Sequence, residues 1–313
     1  MYLLVLKQLA IMTILGIMGF IFAKAVKVSE SQQKFLSKML LYFINPCLIV
    51  NSFNIEFDSL KLKEFGIVVL ISLTVHMLMI FVCILFTLSK KEEVKDLNIV
   101  ERVAGVFTNC GFIGIPLIRG VFGDEGVFYL MGYLIVFNIL IWTYGMWQMS
   151  GSISVKKILT NPVIISSVLG LILFVCPFTL PEIISKPVTM VADMNTAMAM
   201  ILIGILFANF HYEKKFLWRL IRFNFVRLII CPLCALAVLF AIYKIFGFTG
   251  EREKLFLFVV LICASCPAAT SVPGMAVLFD KDASYASLCI SVSSAVCIAT
   301  VPSLVLLAEQ IIR

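Results

Sequence analysis

Two stretches of the chain combine helix-breaking residues with small polar side chains, and both lie inside long apolar runs. The first is NCGFIGIPLIRGVFG at 109–123, and the second is SCPAATSVPG at 265–274. Proline removes a backbone donor and clashes with the preceding turn, and glycine weakens a helix interior by about 1 kcal/mol. We therefore predict unwound backbone in both stretches. The start of the helix after each break adds positive partial charge, which suits an anionic ligand.

The side chains around these breaks are polar but uncharged, so they can hydrogen-bond a carboxylate without holding it permanently. Asparagines in two other apolar runs add to them, and buried amides are costly unless they have partners. For each one, a hydrogen bond between helices is the alternative to a ligand contact. The candidate substrate-binding residues are Asn45, Asn51, Asn109, Gly111, Gly114, Pro116, Asn138, Ser265, Thr270, Ser271 and Pro273.

Asp193 is the one carboxylate placed well inside an apolar run, with Asn195 and Thr196 beside it. A carboxylate inside a long apolar run is costly and usually has a function, so Asp193 is our ion-coupling candidate, as a site for a proton or a cation. The alternative is a position near the outer interface, where the carboxylate stays hydrated.

Several basic side chains also fall within or near apolar runs. We expect Lys7, Arg227 and Lys244 to extend toward an interface, as long basic side chains do in membranes. His76 is expected to be a packed or hydrogen-bonded imidazole rather than a pH switch. Arg119 follows the first break, where it either attracts an anion or marks the outer end of the helix.

The elements that carry these residues must be membrane helices. Of 313 residues, 62% are hydrophobic and 14% charged, whereas soluble domains carry about 25% charged residues. The apolar runs have helix length rather than the short alternation of barrel strands. The net charge of +7 lies mostly in short connections, where it sets topology and does not indicate nucleic acid. The composition predicts an all-α integral membrane protein.

About ten transmembrane helices fit the chain, and their short connections leave no room for a soluble domain. The first run is too long for a signal peptide, so it is counted as a span. The predicted spans are 3–25, 34–53, 65–88, 99–121, 126–149, 160–178, 187–209, 219–246, 254–279 and 284–311.

Basic residues are more frequent at the odd-numbered connections, which predicts that these are cytoplasmic and that both termini lie outside a plasma (inner) membrane. The odd side holds Lys24, Lys27, Lys34, Lys38, Lys90, Lys91, Lys95, Arg102, Lys156, Lys157, Lys214, Lys215, Arg219, Arg222 and Lys281. The other side holds Lys61, Lys63, Arg119, Lys186, Lys244, Arg252, Lys254 and Arg313.

An internal repeat follows from this count, because five spans per half force the halves into opposite orientations. A shift of 157 residues places Pro116 on Pro273 and the turn after the first break on the turn after the second. We predict two inverted five-helix repeats, 1–156 and 157–313, with broken helices four and nine crossing. Interrupted spans at matched places in two halves are typical of a transporter site.

Ten cysteines could indicate redox or metal chemistry. Two pairs have CxxC spacing, Cys231 with Cys234 and Cys263 with Cys266. A redox motif needs a thioredoxin-like context that is missing here, and thiols in apolar runs behave as small hydrophobic groups. We expect helix packing, no metal site and no cofactor, apart from possible coupling to H⁺ or Na⁺.

The order and spacing of the motifs resemble the auxin efflux carrier family, which includes plant auxin exporters and bacterial malate or malonate permeases. The matching features span essentially the whole chain. They are the Asn-Pro at Asn45 and Pro46, the stretch 109–117 with its turn at 122–126, Asn138 with Trp142, and the stretch 266–274.

The resemblance implies more than the composition does. Spans one, two, six and seven would form a scaffold that carries the interface of a homodimer. Spans three to five and eight to ten would form a mobile domain. Spans four and nine would cross at their prolines, where a small organic anion (a carboxylate, auxin-like or malate/malonate-like) would bind. Transport would follow an elevator mechanism. Without a long central loop, the chain is similar to the compact bacterial type.

Other functions remain as alternatives at this stage. A sodium-coupled symporter of the bile-acid type would be expected to place carboxylates or glutamines near the crossing, and 109–116 and 265–273 contain none. A polytopic enzyme would need clustered acids or motifs such as HEXXH or GxSxG, which are missing. A receptor would need an output domain. The sequence favours a secondary transporter that is not an enzyme.

Overall fold

The computed structural model describes residues 1–88, 94–153, 155–176, 180–208, 216–248 and 250–312. Lys90, Lys91, Lys214, Lys215 and Arg313, together with part of the predicted spans 160–178 and 187–209, lie outside these ranges. The helices are α1 (Tyr2–Val26), α2 (Glu30–Met39), α3 (Asn45–Phe53), α4 (Ser59–Phe86), α5 (Lys95–Val106), α6 (Ile115–Leu140), α7 (Met146–Ser150), α8 (Val155–Leu159), α9 (Pro162–Val175), α10 (Glu182–Ala208), α11 (Leu217–Phe225), α12 (Cys231–Phe246), α13 (Glu251–Ser265), α14 (Ser271–Leu278) and α15 (Ala283–Ile311).

Seven helical stretches within the described ranges have the length and apolar composition needed to cross a membrane. This confirms the predicted all-α membrane class. The seven are Tyr2–Val26, Ser31–Phe53, Ser59–Phe86, Cys110–Ser150, Glu182–Ala208, Leu217–Phe246 and Ala283–Ile311.

The number is lower than ten because spans four and nine are broken, the second part of span four is continuous with span five, and span six is short. Non-helical residues after α5 and after α13 leave each of these as a short helix. In the stretch Cys110–Ser150, predicted spans run together through a kink at Gly123, where φ is +66°. A positive φ of this size favours glycine. Another predicted span, α9, has 14 residues within the described part.

Wide π-helical turns precede three of the prolines in the apolar helices. The turns Leu40–Ile44, Cys110–Gly114 and Val226–Ile230 are each followed by a helix with proline at its second residue. The residue before each proline donates its N–H to the carbonyl five positions back. Proline lacks an N–H and its ring clashes with the carbonyl four residues back, so the turn widens to make room.

The helices pack as two groups. In the first, α1 runs along α10 and α3 packs against α9 and α10. The α1–α10 contact depends on small residues, because a Cβ on Gly204 would lie 1.9 Å from the Gly16 carbonyl oxygen, and a Cβ on Gly19 2.2 Å from that of Ile201. Close backbone approach through small residues is a common way for membrane helices to associate. The second group contains α4, α5, α6 and α11 to α15.

Buried carboxylates fix the second group at both ends. At one end Glu101 of α5 pairs with Arg219 and Arg222 of α11, at 2.7 Å in each case, and accepts a hydrogen bond from the Tyr285 hydroxyl at 2.6 Å. At the other end Glu64 of α4 accepts a hydrogen bond from the Tyr129 hydroxyl of α6. Each tyrosine follows the turn that comes after a broken stretch. The Glu64 bond joins α4 to α6, and the Glu101 contacts join α5 to α11 and α15.

Replacing Gly204 with alanine should destabilise the first group. The new methyl would overlap the α1 backbone, which cannot rotate away as a side chain does, and overpacking of this kind costs about 1–3 kcal/mol. We expect Gly204→Ala to lower the temperature of thermal unfolding in detergent. Gly66→Ala in α4 is the matched control, because a methyl added there would have no neighbouring atom within 4 Å. Equal unfolding temperatures for the two variants would contradict this packing.

Candidate functional site

The two predicted breaks meet in the structure. The backbone is non-helical at 107–109 and 266–270, so the second predicted stretch unwinds, whereas the first break lies at the very start of the predicted stretch 109–123. The Asn109 N–H donates to the Pro267 carbonyl at 2.7 Å, and the Ala269 N–H donates to the Phe107 carbonyl at 2.9 Å. This antiparallel bridge, which we call the crossing, supplies partners for backbone groups that the helices no longer pair. The Ala268 N–H donates to the Ser293 hydroxyl at 3.1 Å.

A helix starts directly after each broken segment. The Asn109 carbonyl accepts from the N–H groups of Ile113 and Gly114 in the wide turn that leads into α6, and α14 begins at Ser271. Pro116 and Pro273 lie within the first turn of these helices, so the backbone crosses before these prolines and not at them. The first turn of α14 tolerates Pro273 because N–H groups there have no partner within the helix, and the wide turn before α6 accommodates Pro116.

A cavity of about 280 Å³ lies beside the crossing. One wall comes from α2, α3, α9 and α10, and the other from the crossing, α6 and the turn Ile141–Gly145. None of the described residues that line it is charged. The lining residues are Ser37, Leu41, Tyr42, Asn45, Ile49, Thr108, Asn109, Gly111, Phe112, Ile115, Leu134, Phe137, Asn138, Ile141, Trp142, Asn161, Pro162, Val163, Leu206, Ala269, Thr270 and Ser271.

Two lining residues of the crossing have polar atoms without a partner. The Nδ2 atom of Asn109 and the hydroxyl of Thr108 are buried and make no hydrogen bond to the described residues. Buried polar groups in proteins are nearly always paired, with protein, water or a ligand. Both atoms are therefore candidate donors to a ligand in the cavity wall.

Other lining asparagines pair with each other or with the backbone. Asn195 of α10 donates through Nδ2 to the Asn45 side-chain oxygen at 2.7 Å. Asn138 donates to the Leu134 carbonyl at 2.8 Å and accepts from Asn161 Nδ2 at 3.1 Å. The Asn138–Asn161 bond joins α6 to the start of α9, so it connects the two helix groups across the cavity.

Six of the predicted binding residues line the cavity, and five do not. Those that line it are Asn45, Asn109, Gly111, Asn138, Thr270 and Ser271. Asn51 instead accepts from the Thr189 hydroxyl at 2.6 Å, within the first helix group. Ser265 donates to the Leu261 carbonyl of its own helix at 2.7 Å.

The remaining three, Gly114, Pro116 and Pro273, are not among the lining residues. A Cβ on Gly114 would lie 3.1 Å from the Cys110 Cβ and 3.4 Å from the Cys266 sulfur, so Gly114 lets the two broken stretches pack closely. Pro116 presents its carbonyl to Gln8 Nε2 of α1 at 3.1 Å. Pro273 lies in the first turn of α14.

Asp193 lies outside the cavity. Its carboxylate is 57% exposed and accepts from Arg119 Nη2 at 2.7 Å. Arg119 also pairs with Asp124, which belongs to the turn after the first break, at 3.0 Å. Arg119 is on α6 and Asp193 on α10, so this ion pair connects the two helix groups.

Sequence reasoning missed seven polar or aromatic lining residues as binding candidates: Ser37, Tyr42, Thr108, Phe112, Phe137, Trp142 and Asn161. A signal for Asn161 was present, because Asn161 and Pro162 repeat the Asn-Pro dipeptide of Asn45 and Pro46. Its side-chain oxygen caps α9, and its amide nitrogen reaches Asn138. Nothing in the sequence pattern directs Tyr42 or Trp142 to the cavity.

The expectations for basic residues hold in part. His76 is buried, with Nδ1 2.7 Å from the Ser72 carbonyl and its ring against Tyr133, which confirms a packed imidazole. Lys7 and Lys244 are exposed. Arg227 is fully buried, so the expectation that it extends to an interface is wrong. Neighbouring backbone carbonyls hold its guanidinium in place.

The ten cysteines are free thiols, and most are buried among helices. Cys83 and Cys231 approach to 4.0 Å between sulfurs, at a contact of α4 with α12. Across the described ranges, no group of three or more His, Cys, Asp or Glu side chains could hold a metal ion. The thiols thus contribute to helix packing.

The family model described as "Membrane transport protein" matches residues 4–154 and 146–305 of the chain. The chain belongs to this auxin efflux carrier-like family of membrane transport proteins. A search of curated proteins finds no match. Membership, together with the apolar helices, makes this chain a multi-pass membrane transport protein, and the family is one of transporters rather than enzymes.

The free amide of Asn109 should matter for transport, whereas the paired amide of Asn51 should not. We expect Asn109→Ala to slow uptake of a labelled organic anion by about tenfold or more, because a cavity donor is lost. Asn51→Ala is the control: it removes a bond to Thr189 outside the cavity and should leave the apparent affinity unchanged. Initial uptake rates in proteoliposomes, normalised to folded protein, test the pair. Equal effects would refute the assignment of this cavity.

Proposed function

We propose that the protein is a secondary transporter that moves a small organic anion across the plasma membrane. The observation that carries this proposal is the uncharged cavity at the crossing, lined by both helix starts. Its volume suits a ligand of the size of a small carboxylate, since pockets for larger ligands are typically about 300–1,000 Å³.

The preference for an anion follows from the groups at the crossing. The helix starts after Asn109 and Thr270 present positive partial charge, and the free donors of Thr108 and Asn109 lie in the same wall. A carboxylate accepts hydrogen bonds only. None of the described lining residues is acidic, so nothing there would hold a metal cation by charge.

The proposed architecture has about ten spans in two inverted repeats. Each half contains a long helix, a short helix, a broken stretch and a second helix: α4, α5 and α6 in one half, and α11 with α12, α13 and α14 in the other. The proposed boundary between the halves, at 156 and 157, falls within α8.

We propose elevator-type alternating access, in which the second helix group carries the crossing past the first. The cavity lies between the groups, as such a movement requires. Ser37 and Asn161 line it and adjoin connections predicted to be cytoplasmic, so this conformation would face inward. The Gln8–Pro116 and Arg119–Asp193 contacts bridge the groups away from that entrance and would break when the mobile group moves.

Asp193 remains our candidate for ion coupling. Protonation would weaken its ion pair with Arg119, which joins the two helix groups, and so would link a proton to the movement.

The first helix group would also provide the homodimer interface, and both termini would lie outside. An inside-negative potential would favour export of an anion by about 2.3 kcal/mol per charge per 100 mV.

Counterflow uptake in proteoliposomes tests the function directly. We expect saturable uptake of at least one compound among malate, malonate, other small carboxylates and indole-3-acetate, and no uptake into liposomes without protein. Imposed proton or sodium gradients then show whether an ion is coupled. Lack of uptake of every compound by folded protein would refute organic-anion transport, and strict sodium dependence would favour a symporter of the bile-acid type.

A further inference from the structure

Arg227 is the largest fully buried side chain of the described protein. It lies in the wide turn Val226–Ile230, between α11 and α12, and has no role in the cavity lining. Arginine does not lose its proton in proteins, so the guanidinium is a permanent positive charge. A permanent charge at this depth calls for a reason, because ionisable residues within membrane helices are costly and usually functional.

The partners of Arg227 are backbone carbonyls at the ends of the two half-helices. Nη1 donates to Gly105 of α5 at 3.3 Å, and Nη2 donates to Ala264 of α13 at 2.7 Å and to Cys266 just beyond it. No acidic side chain of the described ranges forms an ion pair with Arg227, and its Nε–H makes no hydrogen bond to them. The charge is therefore solvated by peptide dipoles, with the thiol of Cys231 beside it.

These carbonyls form a position that suits a cation. The last carbonyls of a helix have no partner within it and carry negative partial charge. In transporters with broken helices, unwound carbonyls and half-helix C-terminal ends coordinate coupling cations. Here two such ends converge, and a guanidinium fills the space between them.

The same segments connect Arg227 to the cavity. Gly105 is three residues before Thr108, and Cys266 is three residues before Ala269, and both Thr108 and Ala269 line the cavity. Arg227 thus acts from behind the crossing, through the backbone that it holds and through its charge. In contrast, Arg219 and Arg222 share the carboxylate of Glu101 as an ion-pair partner.

We propose that Arg227 is a built-in cation that takes the place of a co-transported metal ion at the crossing and balances the charge of the bound substrate. This deepens the proposed function, on which it rests. The loaded crossing is then electrically neutral with a monovalent anion and has net negative charge with a divalent one. The substrate class that follows is a monovalent organic anion, carried without sodium.

A first experiment needs no substrate. In Arg227→Ala the carbonyl-lined space is vacated, so we expect low-millimolar methylguanidinium or sodium chloride to raise the unfolding temperature of the purified variant relative to choline chloride. Wild type should show no such response. Arg222→Ala is the matched control, because it removes a partly exposed arginine that pairs with Glu101. Equal responses of Arg227→Ala and Arg222→Ala, or no response, would overturn the built-in cation.

A second experiment measures transport and holds even if Arg227→Ala does not fold. Wild type should take up monovalent carboxylates without sodium and in preference to divalent ones. Arg227→Lys keeps the charge and should retain this selectivity, whereas the neutral Arg227→Met should lose uptake by about tenfold or more. Wild-type uptake that requires sodium or favours dianions, or an Arg227→Met variant with wild-type selectivity, would overturn the proposal.

The two proposals fail in distinguishable ways. If wild type transports no organic anion but Arg227→Ala is stabilised by methylguanidinium, the proposed function fails and the built-in cation stands as a structural device. If wild type transports an organic anion only with sodium, the function stands and the role of Arg227 fails.

Discussion

The structure depends on one constraint: backbone groups buried away from water must find partners within the protein. Helices meet it by themselves, but the two broken stretches do not. There, the bonds between Asn109 and Pro267 and between Ala269 and Phe107 pair the two segments with each other. The Ser293 hydroxyl accepts from the Ala268 N–H, and Arg227 donates to the Ala264 carbonyl. The crossing can be unwound because each broken segment supplies what the other lacks. The cavity exists because the helices on its far side do not fill the space that this unwinding leaves.

The breaks were predictable from sequence because glycine and proline act locally, through missing donors and lost side chains. The choice of lining residues was not, because it depends on which face of a helix meets the cavity. Ser265 illustrates this: it adjoins the second break, yet its hydroxyl bonds back to Leu261. Asn51 likewise faces Thr189, one and a half turns from the lining residue Asn45. Fold class followed from composition, whereas these orientations required tertiary contacts.

The buried charged side chains differ in their position along the helices and in the groups that they contact. Glu64 and Glu101 lie toward opposite ends of the second helix group, and each has a tyrosine partner. Arg227 instead donates to backbone carbonyls and lies beside the Cys231 thiol. A rule based on side-chain length predicts that arginine reaches an interface, and it failed here because the ends of α5 and α13 offer a nearer and more favourable environment. Those helix ends are brought together only by the fold, so no local pattern could reveal them.

The wide turns before Pro46, Pro116 and Pro232 bear on how the sequence can change over evolutionary time. Each turn holds one residue more than an α-helical turn, and removal of that residue would restore regular winding while leaving both flanking helices in register. Relatives of this protein that lack one of these prolines should therefore show a single-residue gap at the same place. At other places in a membrane helix, such a gap would rotate every later side chain onto the wrong face. Insertions and deletions, which membrane helices normally tolerate poorly, have a permitted location at these turns.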